Sequence, residues 1–160
     1  MASEFSKLLK NATKHAVAGS SKLKATTAGH IFNIKATADI DNGCIVKKGD
    51  YIAPDYYAEA AASGSFAGKI IDKAANGNWY IEVTACDGDC LVLTTPLIYE
   101  NYTKSLEHES NFYNEKDSLM RCYELYVGDV FELSDEGFSG TPEVSKTVSV
   151  EDKKLKVAEA

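Results

Sequence analysis

The chain has 160 residues, 44% of them hydrophobic and 26% charged, with a net charge of −7 at neutral pH. That composition excludes a disordered chain, and the length frees the core from needing metal or disulfide staples, so one folded domain is expected. No apolar run approaches the roughly 18 residues that span a bilayer, the opening MASEFSKLLKN has no secretory-signal core, and a single arginine in an acidic chain argues against nucleic acid as a partner.

The first element in chain order is basic. Residues 1–38 carry six lysines (Lys7, Lys10, Lys14, Lys22, Lys24, Lys35) against one acid, Glu4, for a net +5, while the remaining 122 residues are net −12. Phe5, Leu8, Leu9, Ala12 and Ala16 recur at helical spacing, which predicts an amphipathic helix over 3–18, capped by Ser3 and ended by Gly19. Its apolar stripe is too small to hold a lone helix in water and needs a partner surface. Ala18 to Ser21 reads as a flexible joint. Residues 1–28 therefore read as a basic helix or extended arm with a linker, ahead of a β domain over 29–160.

From Gly29 onward, short runs rich in Ile, Val, Tyr, Phe and Thr alternate with turn signals. Strands are predicted at His30–Thr37, Gly43–Val46, Tyr51–Ala53, Ala67–Asp72, Asn78–Ala85, Leu91–Thr94, Met120–Tyr126, Asp129–Ser134 and Thr147–Val150. Between them Asp41-Asn42-Gly43, Lys48-Gly49-Asp50, Asn76-Gly77-Asn78, Asp87-Gly88-Asp89 and Val127-Gly128-Asp129 supply the Gly or Asn that a tight reversal requires. Trp79, Ile81 and Val83 alternate with Tyr80, Glu82 and Thr84, and the return as Leu91-Val92-Leu93 predicts an antiparallel hairpin across Asp87-Gly88-Asp89. Residues 55–62 suit a helical turn. Residues 101–117 are polar and aperiodic, a long excursion of the kind that is often functional. The fold class expected is mainly β, an antiparallel β-barrel or β-sandwich with a short N-terminal helix or extended arm.

No catalytic frame accompanies these elements: G-x-S-x-G, P-loop, G-x-G-x-x-G and H-E-x-x-H are all missing. His15, His30 and His108 have no motif linking them and read as solvated or capping residues. Cys86 and Cys90 stand as C-x3-C without a second pair, so Cys44, Cys86, Cys90 and Cys122 are expected to be free thiols. Asp39-x-Asp41-Asn42-Gly43 matches a calcium loop only in part, since its Gly falls one place early and Asp50 stands where a bidentate Glu belongs. No cofactor, no metal and no enzymatic activity are expected. Tyrosines and phenylalanines gather around the excursion, at Tyr99, Tyr102, Phe112 and Tyr113, and residues of this kind suit an interface.

Several short pieces together resemble the small structural proteins encoded beside the major capsid protein of tailed bacteriophages. They are Asp41-Asn42-Gly43 with Val46 and Gly49-Asp50, then Thr95-Pro96-Leu97-Ile98-Tyr99-Glu100, Asn111-Phe112-Tyr113-Asn114-Glu115, and Arg121-x-Tyr123-Glu124-Leu125 leading to Gly128-Asp129-Val130-Phe131-Glu132-Leu133-Ser134. The resemblance covers about two-thirds of the chain and implies an auxiliary capsid (decoration or cement) protein, made in a host cytoplasm and located in the virion. Its partners would be the major capsid protein or other virion subunits, with the chain a homo-oligomer or bound to a lattice, and no membrane involved. The interface residues expected are Phe5, Leu8, Leu9, Lys7, Lys10 and Lys14 on the arm, with Tyr99, Tyr102, Phe112 and Tyr113 on the excursion. Three other readings compete: a carbohydrate-binding module using the tyrosines, a tail, neck or fibre-supporting protein, and a small acid/base hydrolase.

Overall fold

Alternating buried and exposed side chains mark strands such as 67–70, 119–122 and 154–157, and pairing the strands gives two β units. A computed structural model describes residues 14–52, 57–95 and 109–159. Among them are twelve strands: β1 (Ala18–Lys22), β2 (Ile31–Lys35), β3 (Ile45–Ile52), β4 (Tyr57–Ala62), β5 (Ala67–Lys73), β6 (Trp79–Ala85), β7 (Asp89–Val92), β8 (Leu119–Glu124), β9 (Val130–Leu133), β10 (Phe138–Ser139), β11 (Thr147–Glu151) and β12 (Lys154–Val157). Five of them close a barrel in the order β2-β4-β3-β7-β8, and seven form an open sheet in the order β1-β9-β6-β5-β11-β12-β10. The protein is therefore mainly β. Most pairs are antiparallel; β2 with β4 and β10 with β12 are parallel. No helix among the described residues is long and apolar enough to cross a membrane.

Each unit has its own core. Ile34, Val46, Cys90, Val92, Met120 and Cys122 fill the barrel, whereas Ile70, Ile81, Val83, Phe131, Leu133, Val148 and Leu155 line one face of the sheet. Strand alternation joins the two. Cys90 and Val92 point into the barrel, so Leu91 between them points outward into the sheet's core, as does Ile45 beside Val46. Leu91 is fully buried, and a large aliphatic side chain buried this way stabilises by about 1.5–3 kcal/mol.

The chain crosses between sheet and barrel four times, at 23–30, 63–66, 86–88 and 125–129. Two buried aspartates tie these crossings together. The Asp89 carboxyl group accepts bonds from Ser63 Oγ, from Ser65 Oγ at 2.8 Å and from the Asp87 N–H at 2.9 Å. Its carbonyl takes the Leu125 N–H at 2.9 Å. Asp129 accepts the Lys24 N–H at 3.2 Å and the Tyr126 N–H at 2.9 Å. A buried carboxyl group is tolerable only when its lone pairs are met in this way.

Several sequence expectations need correction. The hairpin across Asp87-Gly88-Asp89 does not form: β6 pairs with β5 and β9 in the sheet, and β7 with β3 and β8 in the barrel. Gly88 does turn, at φ 69°, but the pull of Ser63 and Ser65 on Asp89 sends the chain across to the other unit. Lys48-Gly49-Asp50 is no reversal either. β3 runs through it with an irregular register against β4, and a Cβ on Gly49 would stand 2.7 Å from the Glu59 carbonyl oxygen. Residues 57–62 of the expected helical turn form strand β4, because β2 and β3 offer ladders on both sides and outweigh alanine's helical preference.

At the N-terminus, the part of the predicted helix over 3–13 lies outside the described residues. Residues 14–17 have no regular structure, and the expected joint at 18–21 is strand β1, hydrogen-bonded along β9. Ala16, assigned to a helical stripe, is instead buried in the sheet's core from a segment without regular structure. The β structure thus begins before position 29. β1 is an edge strand blunted by an irregular register between Ser20 and Lys22 and by the exposed Lys22, features that discourage edge-to-edge pairing.

The four cysteines are free, three of them inside the barrel. Burial pushes the thiols of Cys44 and Cys90 up to about 12 and raises that of Cys122 too. Cys86 is only partly buried; burial and then the nearby Asp89 carboxylate raise its thiol as well. Since the thiolate is the reactive form, Cys86 is expected to label first with iodoacetamide at pH 8. The barrel cysteines should react about a hundredfold more slowly, through opening of the fold. Mass spectrometry of the labelled peptides checks the order.

Candidate interface corner

The loop from Ala36 to Cys44, between β2 and β3, closes one end of the barrel against the last residues of the excursion. Asp117 donates its N–H to the Ala36 carbonyl at 2.8 Å, and Ser118 accepts the Ala36 N–H at 2.9 Å. Ile40 and Asn114 then exchange backbone bonds of 2.9 and 2.7 Å. Asp39 Oδ1 accepts the Lys116 N–H at 3.0 Å.

Asn42 is 6% exposed and Asn114 2% exposed, and both side-chain amides are hydrogen-bonded within the corner. Asn42 Nδ2 donates to the Thr94 carbonyl at 2.9 Å, while its Oδ1 accepts the Thr94 N–H at 3.0 Å and Asn114 Nδ2 at 3.2 Å. Thr94 stands just before the segment 96–108, and Asn114 shortly after it. One buried asparagine pair therefore clamps both roots of the excursion to the barrel.

The neighbouring residue, Asp41, holds the arm. His15 Nδ1 lies 2.7 Å from Asp41 Oδ1, and the Ala16 N–H donates to Asp41 Oδ2 at 3.0 Å. The His15 N–H reaches the Ser110 carbonyl at 2.7 Å, and its ring stacks on Tyr113 with centroids 5.0 Å apart. The roots of the arm and of the excursion thus meet at one corner of the body, organised by Asp41 and Asn42.

The expected interface residues distribute unevenly. Phe5, Lys7, Leu8, Leu9, Lys10, Tyr99 and Tyr102 lie outside the described residues. Lys14 is exposed beside the corner, and Phe112 is half-buried. Tyr113 is 7% exposed beneath the His15 ring, so it is not an exposed anchor: stacking and burial use its ring within the body. His15 is likewise no solvated histidine. Sequence reasoning marked Asp41-Asn42-Gly43 as turn chemistry and gave Asn114 no role beyond its place in a resembling stretch. Asn and Asp side chains do bond nearby backbone readily, but these partners lie up to 74 residues away.

Among the described residues, no group of three or more His, Cys, Asp or Glu is placed to hold a metal ion. Asp39 and Asp41, the start of the partial calcium loop, are engaged by Lys116, His15 and Ala16. Asp135 accepts Trp79 Nε1 at 2.7 Å. An open groove of about 230 Å³ beside β10 and β12 carries Lys146 and Lys156, but these pair with Glu143 at 3.3 Å and Glu151 at 3.0 Å. Comparison with protein families, with curated proteins and with solved structures finds no match to this chain.

Proposed function

We propose that the chain is a structural protein of a virion, an auxiliary capsid (decoration or cement) protein that binds other subunits through its basic arm and its excursion. One observation carries this reading: the two segments marked for subunit contact join the body at the same corner, where Asp41 and Asn42 hold both sets of roots. A rigid body offering two recognition segments from one place suits attachment to a lattice, because a single docking event engages both. The buried polar groups add support. Asn42, Asp89, Asn114 and Asp129 all bond to the chain itself, a use that serves architecture. The carbohydrate-binding alternative loses one of its platform residues, since Tyr113 is buried.

Mass spectrometry of purified particles of the encoding phage should find the chain at the copy number of the capsid subunit or a simple fraction of it; absence from particles would overturn the reading. Deleting residues 2–13 spares His15 and β1. The truncated chain should keep its thermal midpoint within about 2 °C, because every described contact of the sheet, barrel and corner is made by residues from 14 onward. It should also fail to bind particles in a sedimentation assay.

A further inference from the structure

The outer wall of the barrel between β2 and β8 differs in charge from most of the protein. Their register places Ile31 opposite Tyr123, Asn33 opposite Arg121 and Lys35 opposite Leu119. The alternate residues, Ile34, Met120 and Cys122, fill the barrel, so this set points outward. Ile31 and Leu119 are 39% and 43% exposed, well above the usual burial of such side chains, and Arg121 between them is the chain's only arginine. Arg121 lies over the Tyr123 ring, 5.8 Å from its centre, which holds the guanidinium close to the wall. No acid stands on the outward positions of either strand; the nearest in register is Glu59, beside Lys35 on β4. The wall also adjoins the corner, because Thr94 Oγ1 accepts the Arg121 N–H at 3.1 Å.

We infer that this wall, centred on Leu119 and Arg121, is a docking surface for an acidic face of a second copy of the same chain. Charge complementarity selects the occupant. A neighbour's arm over residues 1–28, at +4, is repelled by Arg121 and Lys35, whereas residues 39–160 carry −12 and form the acidic partner that the sequence itself supplies. The same charge disfavours wall-to-wall pairing, which would gather Arg121 and Lys35 of both copies into one contact. The contact is therefore head to tail, and copies joined this way form rings or open arrays instead of closed two-fold dimers. The inference rests on the lattice-binding reading for its purpose, yet it is tested in solution without particles.

Sedimentation velocity on the full chain at 20 mM and 500 mM salt, across a hundredfold concentration range, provides the test. Association is expected at low salt, weakening at high salt as exposed charges are screened. Arg121→Glu should raise the apparent Kd at low salt by about tenfold or more, and Leu119→Ser by several-fold, with unchanged circular dichroism and thermal midpoint. Because a head-to-tail contact has two different faces, Arg121→Glu retains a working acidic face. Added to the unaltered chain, it should cap growing assemblies and shift them to smaller species. A chain that stays monomeric at low salt overturns the inference, as does association that Arg121→Glu leaves untouched. Neither result bears on presence in particles, so the lattice reading stands or falls on its own measurement.

Discussion

Asp89→Ala is expected to cost about 3–5 kcal/mol of stability, the range for breaking a buried polar network. Asp89 has no exposed surface, and its carboxyl group meets three donors from two separate chain crossings. Alanine removes every acceptor at once. The Asp87 N–H and the hydroxyls of Ser63 and Ser65 then lose their partners, at about 1–3 kcal/mol for each one that water cannot reach. Ser63→Ala or Ser65→Ala should cost only about 1 kcal/mol, since each deletes a donor and leaves the carboxyl group two others. Urea unfolding provides the check: the midpoint should fall with the slope unchanged. A fall equivalent to less than 1 kcal/mol would mean that the crossings are held by apolar packing alone.

Gly43→Ala should be comparably severe, by about 2–5 kcal/mol, from left-handed backbone strain and overpacking acting together. Gly43 sits at φ 90°, in the loop that carries Asp41 and Asn42, and donates its N–H to the Val92 carbonyl at 2.8 Å. A Cβ there would intrude on Leu133 Cδ1 from β9, which is fully buried and cannot withdraw. The two causes separate in a double-mutant cycle with Leu133→Ala. That change removes the clash but not the strain, so the pair should be less destabilised than the sum by about 1–2 kcal/mol. Additive effects would assign the whole cost to backbone conformation. The neighbouring amide of Thr94 should also lose hydrogen-exchange protection, because a displaced loop carries Asn42 away from it.

The sequence made some of this fold legible and hid the rest for identifiable reasons. β6 was readable because Ile81 and Val83 are both fully buried at alternate positions, and the turn at Asn76-Gly77 because Gly77 takes the positive φ that its type permits. β4 was misread because Tyr57–Ala62 is alanine-rich, and only its two neighbours make it a strand. β1 has almost no β preference of its own; the edge of β9 recruits it. Asp-Gly at 87–88 is a strong hairpin signal, and what defeats it is a side-chain interaction with Ser63 and Ser65, over twenty residues upstream. The corner was half legible. The arm and the excursion stood out by charge and aromatic content, but their meeting at Asp41 and Asn42 depends on contacts across 25 to 74 residues, which no local pattern encodes.

The order in which the two β units draw on the chain constrains how the molecule can form. The sheet takes its first strand before the barrel has any, the barrel interrupts the sheet repeatedly, and the sheet's last strands, β10 to β12, follow the barrel's last, β8. Neither unit exists as a contiguous stretch, so neither can be excised and expressed as a module. On a ribosome the barrel cannot close until β8 has emerged, and the sheet waits for the final residues. Pairings this distant place the protein among slow folders, on the millisecond-to-second scale. Until then, the apolar wall at Ile45 and Leu91 lacks its cover and is open to wrong partners. A truncation between β1 and β8 therefore damages both units at once, whereas one past β8 keeps every barrel strand but strips the sheet of its last strands and uncovers the core the two units share.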